Sequence, residues 1–160
     1  MADQLRYVDH SALRTNQAIF IALLSASFIT ETRWLIPLVS SLMLLGTALR
    51  RPAFKPMYLL LKAIRALKPD ILLDNPEPHR FAQGLGGVVL LGATVAWLGG
   101  IPFLSWALAW VVITLAALNL FGGFCVGCAV YYWLYRLGFP AFTKAPPPGT
   151  IPGKRPASQR

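Results

Sequence analysis

From Leu104 to Tyr135 the chain carries no Asp, Glu, Lys or Arg, and the stretch from Phe81 to Leu98 is equally free of them. A soluble fold cannot carry so much uninterrupted apolar chain, because soluble domains keep roughly a quarter of their residues charged. Here 13% are charged, 56% are hydrophobic and the mean hydropathy is +0.55. Such a composition also excludes a disordered chain, which would be poor in apolar residues. Two cysteines are too few for a disulfide scaffold. The fold class expected is an all-α integral membrane protein, with four transmembrane helices, one amphipathic interfacial helix and a disordered Pro-rich C-terminal tail.

The spans are expected at about 11–30, 34–50, 81–99 and 104–122, the last with helical continuation to 136. Asp9 and Ser11 are candidate caps for the first. A helix begun at Ser11 spans about 30 Å, enough for a hydrocarbon core. A cleavable leader is the competing reading, disfavoured by Asp3, Asp9 and the second apolar segment close behind. In the second span Trp34 is an interfacial anchor and Pro37 falls in the first turn, where proline is tolerated. Arg50 and Arg51 end it. Met57, Leu60, Leu61, Ile64 and Leu67 then recur at helical spacing, with Lys55, Lys62 and Arg65 on another side, as in a helix lying among lipid headgroups.

Residues 74–80 hold two prolines and read as a loop. The third span is rich in small residues, including Gly84, Gly86, Gly87 and Gly92, that let helices approach closely. Gly122 and Gly123 mark a kink, and the aromatic run Tyr131–Tyr135 a membrane boundary. Residues 1–140 thus form a single four-helix domain, and 141–160 the disordered tail.

Fifteen basic residues oppose six acidic ones. Long apolar stretches interrupt the basic residues, so the surplus points to membrane orientation and not to nucleic acid. With both termini and the 50–80 connection on one side, fourteen Lys or Arg lie there and Arg33 alone lies opposite. The positive-inside rule then makes both termini cytoplasmic, in a multi-pass protein of the cell inner membrane.

Chemistry concentrates in Phe124-Cys125-Val126-Gly127-Cys128. Cysteines three apart share a helix face and can reach disulfide distance. If the glycine pair restarts a helix with Cys125 in its first turn, the exposed N–H groups favour a thiolate there. Cys125 is then the attacking sulfur and Cys128 the resolving one. No metal is expected, since His10 and His79 lie far away in sequence. The plainer reading makes both cysteines small packing residues beside Gly123 and Gly127.

Two polar clusters accompany the pair. Arg14, Asn16 and Gln17 follow Asp9 and His10 where the first helix meets lipid. Asp74, His79, Arg80 and Gln83 precede and open the third span, and Asn119 lies inside the fourth. Polar groups at that depth face the bundle interior and seek partners, so these eight are candidates for a polar pocket beside the thiols. Taken singly, Arg14 reads as an anchor snorkelling to phosphates and His79 as a solvated loop histidine.

The pieces Asp9–Gln17 (DHSALRTNQ), Pro78–Gly84 (PHRFAQG) and Asn119–Cys128 (NLFGGFCVGC) resemble a bacterial membrane family catalogued as domain of unknown function 4395, over roughly residues 9 to 140. The resemblance implies a compact four-pass protein with the three polar elements together, and supplies no activity. An association with thioredoxin-like or rhodanese-like proteins would suit the thiols. The function expected is a membrane thiol–disulfide redox protein, exchanging electrons with a cytoplasmic thiol protein, a sulfur carrier or a quinone. The alternatives are a non-catalytic subunit or scaffold of a larger complex, and a small sulfur-compound transport component, which would need oligomerisation to enclose a path.

Overall fold

The computed structural model describes residues 5–50, 54–64 and 68–156. Arg51, expected to end the second span, and Arg65 and Leu67, expected in the amphipathic helix, lie outside the described residues, as do the first four and last four of the chain. Strand β1 (Arg6–Asp9) leads into helix α1 (His10–Ile29), followed by α2 (Leu35–Ala48), α3 (Lys55–Ala63), strand β2 (Ile71–Asp74), α4 (Pro76–Leu98), α5 (Pro102–Gly122) and α6 (Val126–Arg136).

Three helices, α1, α4 and α5, are long and apolar enough to cross a membrane. Only 22–28% of each apolar window is buried within the protein. The outward faces carry residues such as Val88, Val95, Phe103 and Phe121, all more than half exposed. Such faces suit lipid and would be penalised in water. Helix α2, with 14 residues, is about 21 Å long, shorter than a hydrocarbon core.

Phe20 and Leu24 of α1, Ile36, Val39 and Met43 of α2, Leu90 and Ala93 of α4, and Ala109, Val112 and Ile113 of α5 form the core. Glycines set the α2–α4 approach. A Cβ built on Gly87 would stand 2.9 Å from the Leu44 side chain, and one on Gly86 2.7 Å from Met43. Ser40 Oγ donates to the Gly87 carbonyl and Gln83 Nε2 to that of Met43, at 2.9 and 3.0 Å. These bonds satisfy polar groups that lipid could not.

Four expectations need correction. The fold is not purely helical: β1 and β2 pair antiparallel, Arg6 opposite Asp74 and Asp9 opposite Ile71. Short four-residue strands carry too little alternation to stand out from loop. Second, Asp74–Arg80 is not a loop. Asn75 stands at the position before α4 and Pro76 begins the helix, because the first-turn N–H groups that prolines lack have no intrahelical acceptor anyway. Third, the amphipathic helix stops at Ala63, with Met57, Leu60 and Ile64 exposed and Tyr58 buried.

The fourth concerns the tail, which is docked through residue 156. Cys125 N–H donates to Gly153 O at 2.7 Å and Arg155 N–H to Gly123 O at 3.0 Å. Phe142 packs edge-on against Phe81 and Tyr131. Proline forbids regular hydrogen-bonded structure, not docking. The break after α5 leaves backbone groups that need partners, and the tail supplies them.

Candidate functional site

Gly123 sits at φ 64, the left-handed conformation that closes α5, and a glycine takes it without strain. The chain then turns, and Cys125 caps α6 in extended conformation (φ −93, ψ 102) instead of lying in its first turn. Its Sγ accepts the Cys128 N–H at 3.1 Å. The two sulfurs are joined, with Cα atoms 5.2 Å apart. A Cβ on Gly127 would lie 2.6 Å from Ala82 Cβ, so α6 rests directly on α4 and presses Cys128 towards the start of that helix.

There it meets His79. Cys128 Sγ lies 3.4 Å from His79 Nδ1, and His79 Nε2 lies 2.9 Å from Asp74 Oδ2. His10 Nε2 closes on the same carboxylate oxygen at 3.2 Å, and the two imidazoles meet edge-on, centroids 5.5 Å apart. The β1–β2 ribbon makes this meeting possible by tying the start of α1 to the segment that feeds α4. His10 N–H donates to Asp70 O at 2.8 Å. His79 is therefore no solvated loop residue. It occupies the first turns of α4, with its side chain 16% exposed.

Burial works to raise the pKa of Asp74, but the contacts from His10 and His79 and the Asn75 N–H outweigh it and hold the carboxyl well below the usual carboxylate range. Asp74 is thus a fixed anion behind His79. A sulfur, an imidazole and a carboxylate in line form the arrangement by which a base is oriented against a nucleophile.

A cavity of about 210 Å³ opens beside this line. Arg14, Gln17, Asp74, His79, Asn119, Cys125 and Cys128 all border it. Asn16 and Gln83 border a second cavity, of about 220 Å³ with mainly apolar walls. Asn16 Oδ1 also accepts the Phe54 N–H at 3.0 Å. Arg80 reaches neither cavity and instead approaches Glu77, 3.9 Å away.

Sequence reasoning missed three participants. His10 is one: the Asp9 cap places it at the first helical position, but nothing local pairs it with Asp74. Lys154 and Arg155 border the polar cavity from the tail, and Arg155 pairs with Asp70. Burial foremost, and the nearby Arg14 charge, lower the Arg155 pKa. No local signal marks these two, since their placement depends on the tail turning back.

Sequence distance was also a poor argument against a metal. His10, Asp74 and His79 bring ligand atoms within 4.8 Å of one another, as do His79, Cys125 and Cys128. Reduced, the second set offers two thiolates and an imidazole, the donor chemistry of Zn²⁺, one ligand short of a closed structural site.

The model of a family described as Domain of unknown function (DUF4395) matches residues 8–136. The chain belongs to this family. The matched region begins within β1, contains β2, all six described helices and both cysteines, and ends at the last residue of α6. The docked tail lies beyond the stretch that defines the DUF4395 family. No curated protein and no solved structure matches the chain.

Proposed function

We propose that this protein is a membrane thiol–disulfide oxidoreductase in which Cys125 and Cys128 cycle between disulfide and dithiol. The observation that carries the reading is the line Cys128–His79–Asp74, whose sulfur is bonded to Cys125, the residue that caps α6. Exposed N–H groups at the start of α6 favour a thiolate on Cys125, the sulfur that attacks or is attacked. Cys128 must lose its proton to close the ring, and His79, oriented by Asp74, is placed to take it.

In the reductive half-reaction a partner dithiol is oxidised to its disulfide. The Cys125–Cys128 bond breaks, and the pair gains two electrons and two protons through a mixed disulfide on Cys125. Arg14, Lys154 and Arg155 around the polar cavity suit an acidic thiol protein or an anionic sulfur carrier.

Four crossings of the inner membrane with both termini cytoplasmic form part of the proposal. Helix α2 is short, yet Ile36 and Val39 are fully buried in the shared core, which supports counting it as a crossing alongside α4. Pairing of β1 with β2 also puts the starts of α1 and α4 at one end. Reporters at both termini and near Pro76 should read cytoplasmic, with Glu31–Arg33 outside. An external reading near Pro76 overturns this topology.

The packing reading has one observation in its favour, the tight seat of Gly127 on Ala82. Alkylation separates the two. Under the redox reading, reduced Cys125 alkylates faster than Cys128 below the ordinary thiol pKa of about 8.5. Slow and equal alkylation, with no disulfide formed at any redox poise, would leave a non-catalytic subunit.

A further inference from the structure

Two cavities meet at the cysteine pair, and their walls differ. One is bordered by His10, Asp74 and three cationic side chains, and both cysteines reach it. The other lies among α1, α4 and α5, bordered by residues such as Phe20, Ile21, Val89, Val112 and Ala116, and Cys125 reaches it while Cys128 does not. Leu13, Gln17, His79, Asn119 and Cys125 border both and form the seam. A disulfide with a polar approach on one side and an apolar one on the other is placed between a water-soluble and a lipid-soluble reactant.

We propose that the apolar cavity binds the ring of a lipophilic quinone, which oxidises the reduced Cys125–Cys128 pair. This rests on the redox reading above. A volume of about 220 Å³ accommodates one substituted ring and no long tail. Leu85 and Leu115 border the cavity and are 39% and 40% exposed, so an isoprenoid tail has a sideways exit towards lipid. The amides of Gln17 and Asn119 at the seam offer N–H donors to the ring oxygens, within otherwise apolar walls of the kind that small-ligand sites use.

The step balances without another reactant. Two thiols lose two electrons and two protons as the S–S bond forms, and the quinone gains both to become the hydroquinone. His79, in contact with Cys128 Sγ and bordering both cavities, carries the Cys128 proton across the seam.

The test uses the full chain in phospholipid nanodiscs, reduced and desalted. The oxidant is a fully substituted benzoquinone with a decyl tail, which has no ring position open to thiol addition. Quinone absorbance and free thiols are followed together, with glutathione disulfide as a water-soluble oxidant in parallel. One quinone reduced per chain with loss of two thiols is expected. Ala116→Trp and, independently, Val89→Phe should slow the quinone reaction at least tenfold while glutathione disulfide oxidises the variants as fast as the parent. Oxidation by glutathione disulfide but not by quinone would overturn this inference and leave the redox reading standing, with the cavity holding lipid acyl chain. Equal quinone rates in the parent and both variants would overturn it too. Failure of both oxidants would overturn the redox reading itself.

Discussion

The two ends of the helix bundle are built differently. At one end, residues 30–34 and 99–101 are tight turns, and Trp34 and Trp97 meet edge-on with centroids 4.9 Å apart. Among the described residues its wholly buried polar side chains are small ones such as Ser27, whose hydroxyl donates to Thr32 O at 2.9 Å. At the other end a strand pair, the start of α4, the break between α5 and α6 and the returning tail converge, burying His10, Asp74, Asn75 and both cysteines. Buried polar groups in a membrane protein are expensive, so the end that gathers them is where the proposed chemistry belongs. The plain end only reverses the chain.

The largest contrast should come from the sulfurs. Cys128→Ser should accumulate mixed disulfides between Cys125 and its partner, visible on non-reducing gels, and Cys125→Ser should abolish them. A Cys125→Ser protein that still traps partners through Cys128 would reverse the roles assigned here. Next, His79→Gln should slow closure of the disulfide about 100-fold near neutral pH. That deficit should shrink as pH rises past about 8.5, where thiols ionise unaided. A deficit constant with pH would make His79 a packing residue.

Asp74→Asn should destabilise the protein by about 3 kcal/mol, since it removes the buried anion shared by the His10 and His79 imidazoles. The sign of the pH dependence follows from a lowered carboxyl pKa. The contribution is full above the ordinary carboxylate range and is lost as pH falls through the folded value. Thermal unfolding of the parent in acid should approach that of the variant, which itself changes less over the same range.

Two glycines sharpen the comparison most finely. Gly153 and Gly100 both have positive φ, 85 and 77. A Cβ on Gly153 would stand 2.7 Å from Cys125 O, whereas one on Gly100 would meet nothing within 4 Å. Gly153→Ala should cost about 2 kcal/mol and speed alkylation of the reduced cysteines, because it lifts the tail from the Cys125 N–H. Gly100→Ala should cost about 1 kcal/mol and leave alkylation unchanged. Equal effects on alkylation would mean that the tail does not cover the pair.

Much was legible because lipid-facing helices must declare themselves along the chain. Within hydrocarbon, backbone groups pair inside their own helix and lipid-facing side chains are apolar, so α5, α4 beyond Arg80 and α1 beyond Arg14 appear in the sequence as uncharged runs. Gly87 announced a close approach, and Gly122–Gly123 announced the end of α5. Cys125 and Cys128 were visible as a pair because three residues separate them, a spacing that local geometry brings together.

What tertiary structure decided was which distant groups meet that pair. His10 and His79 are 69 positions apart, and neither carries a local sign of the other. The ribbon of Arg6–Asp9 on Ile71–Asp74 joins them, and its four-residue strands are too short to register as a pattern. The same holds for Gly153 and Arg155, whose bonds to Cys125 and Gly123 come from a proline-rich segment that composition marks only as irregular. Periodicity records what one element buries. It is silent on which polar groups find each other across elements, because that depends on how long-range pairing closes the chain.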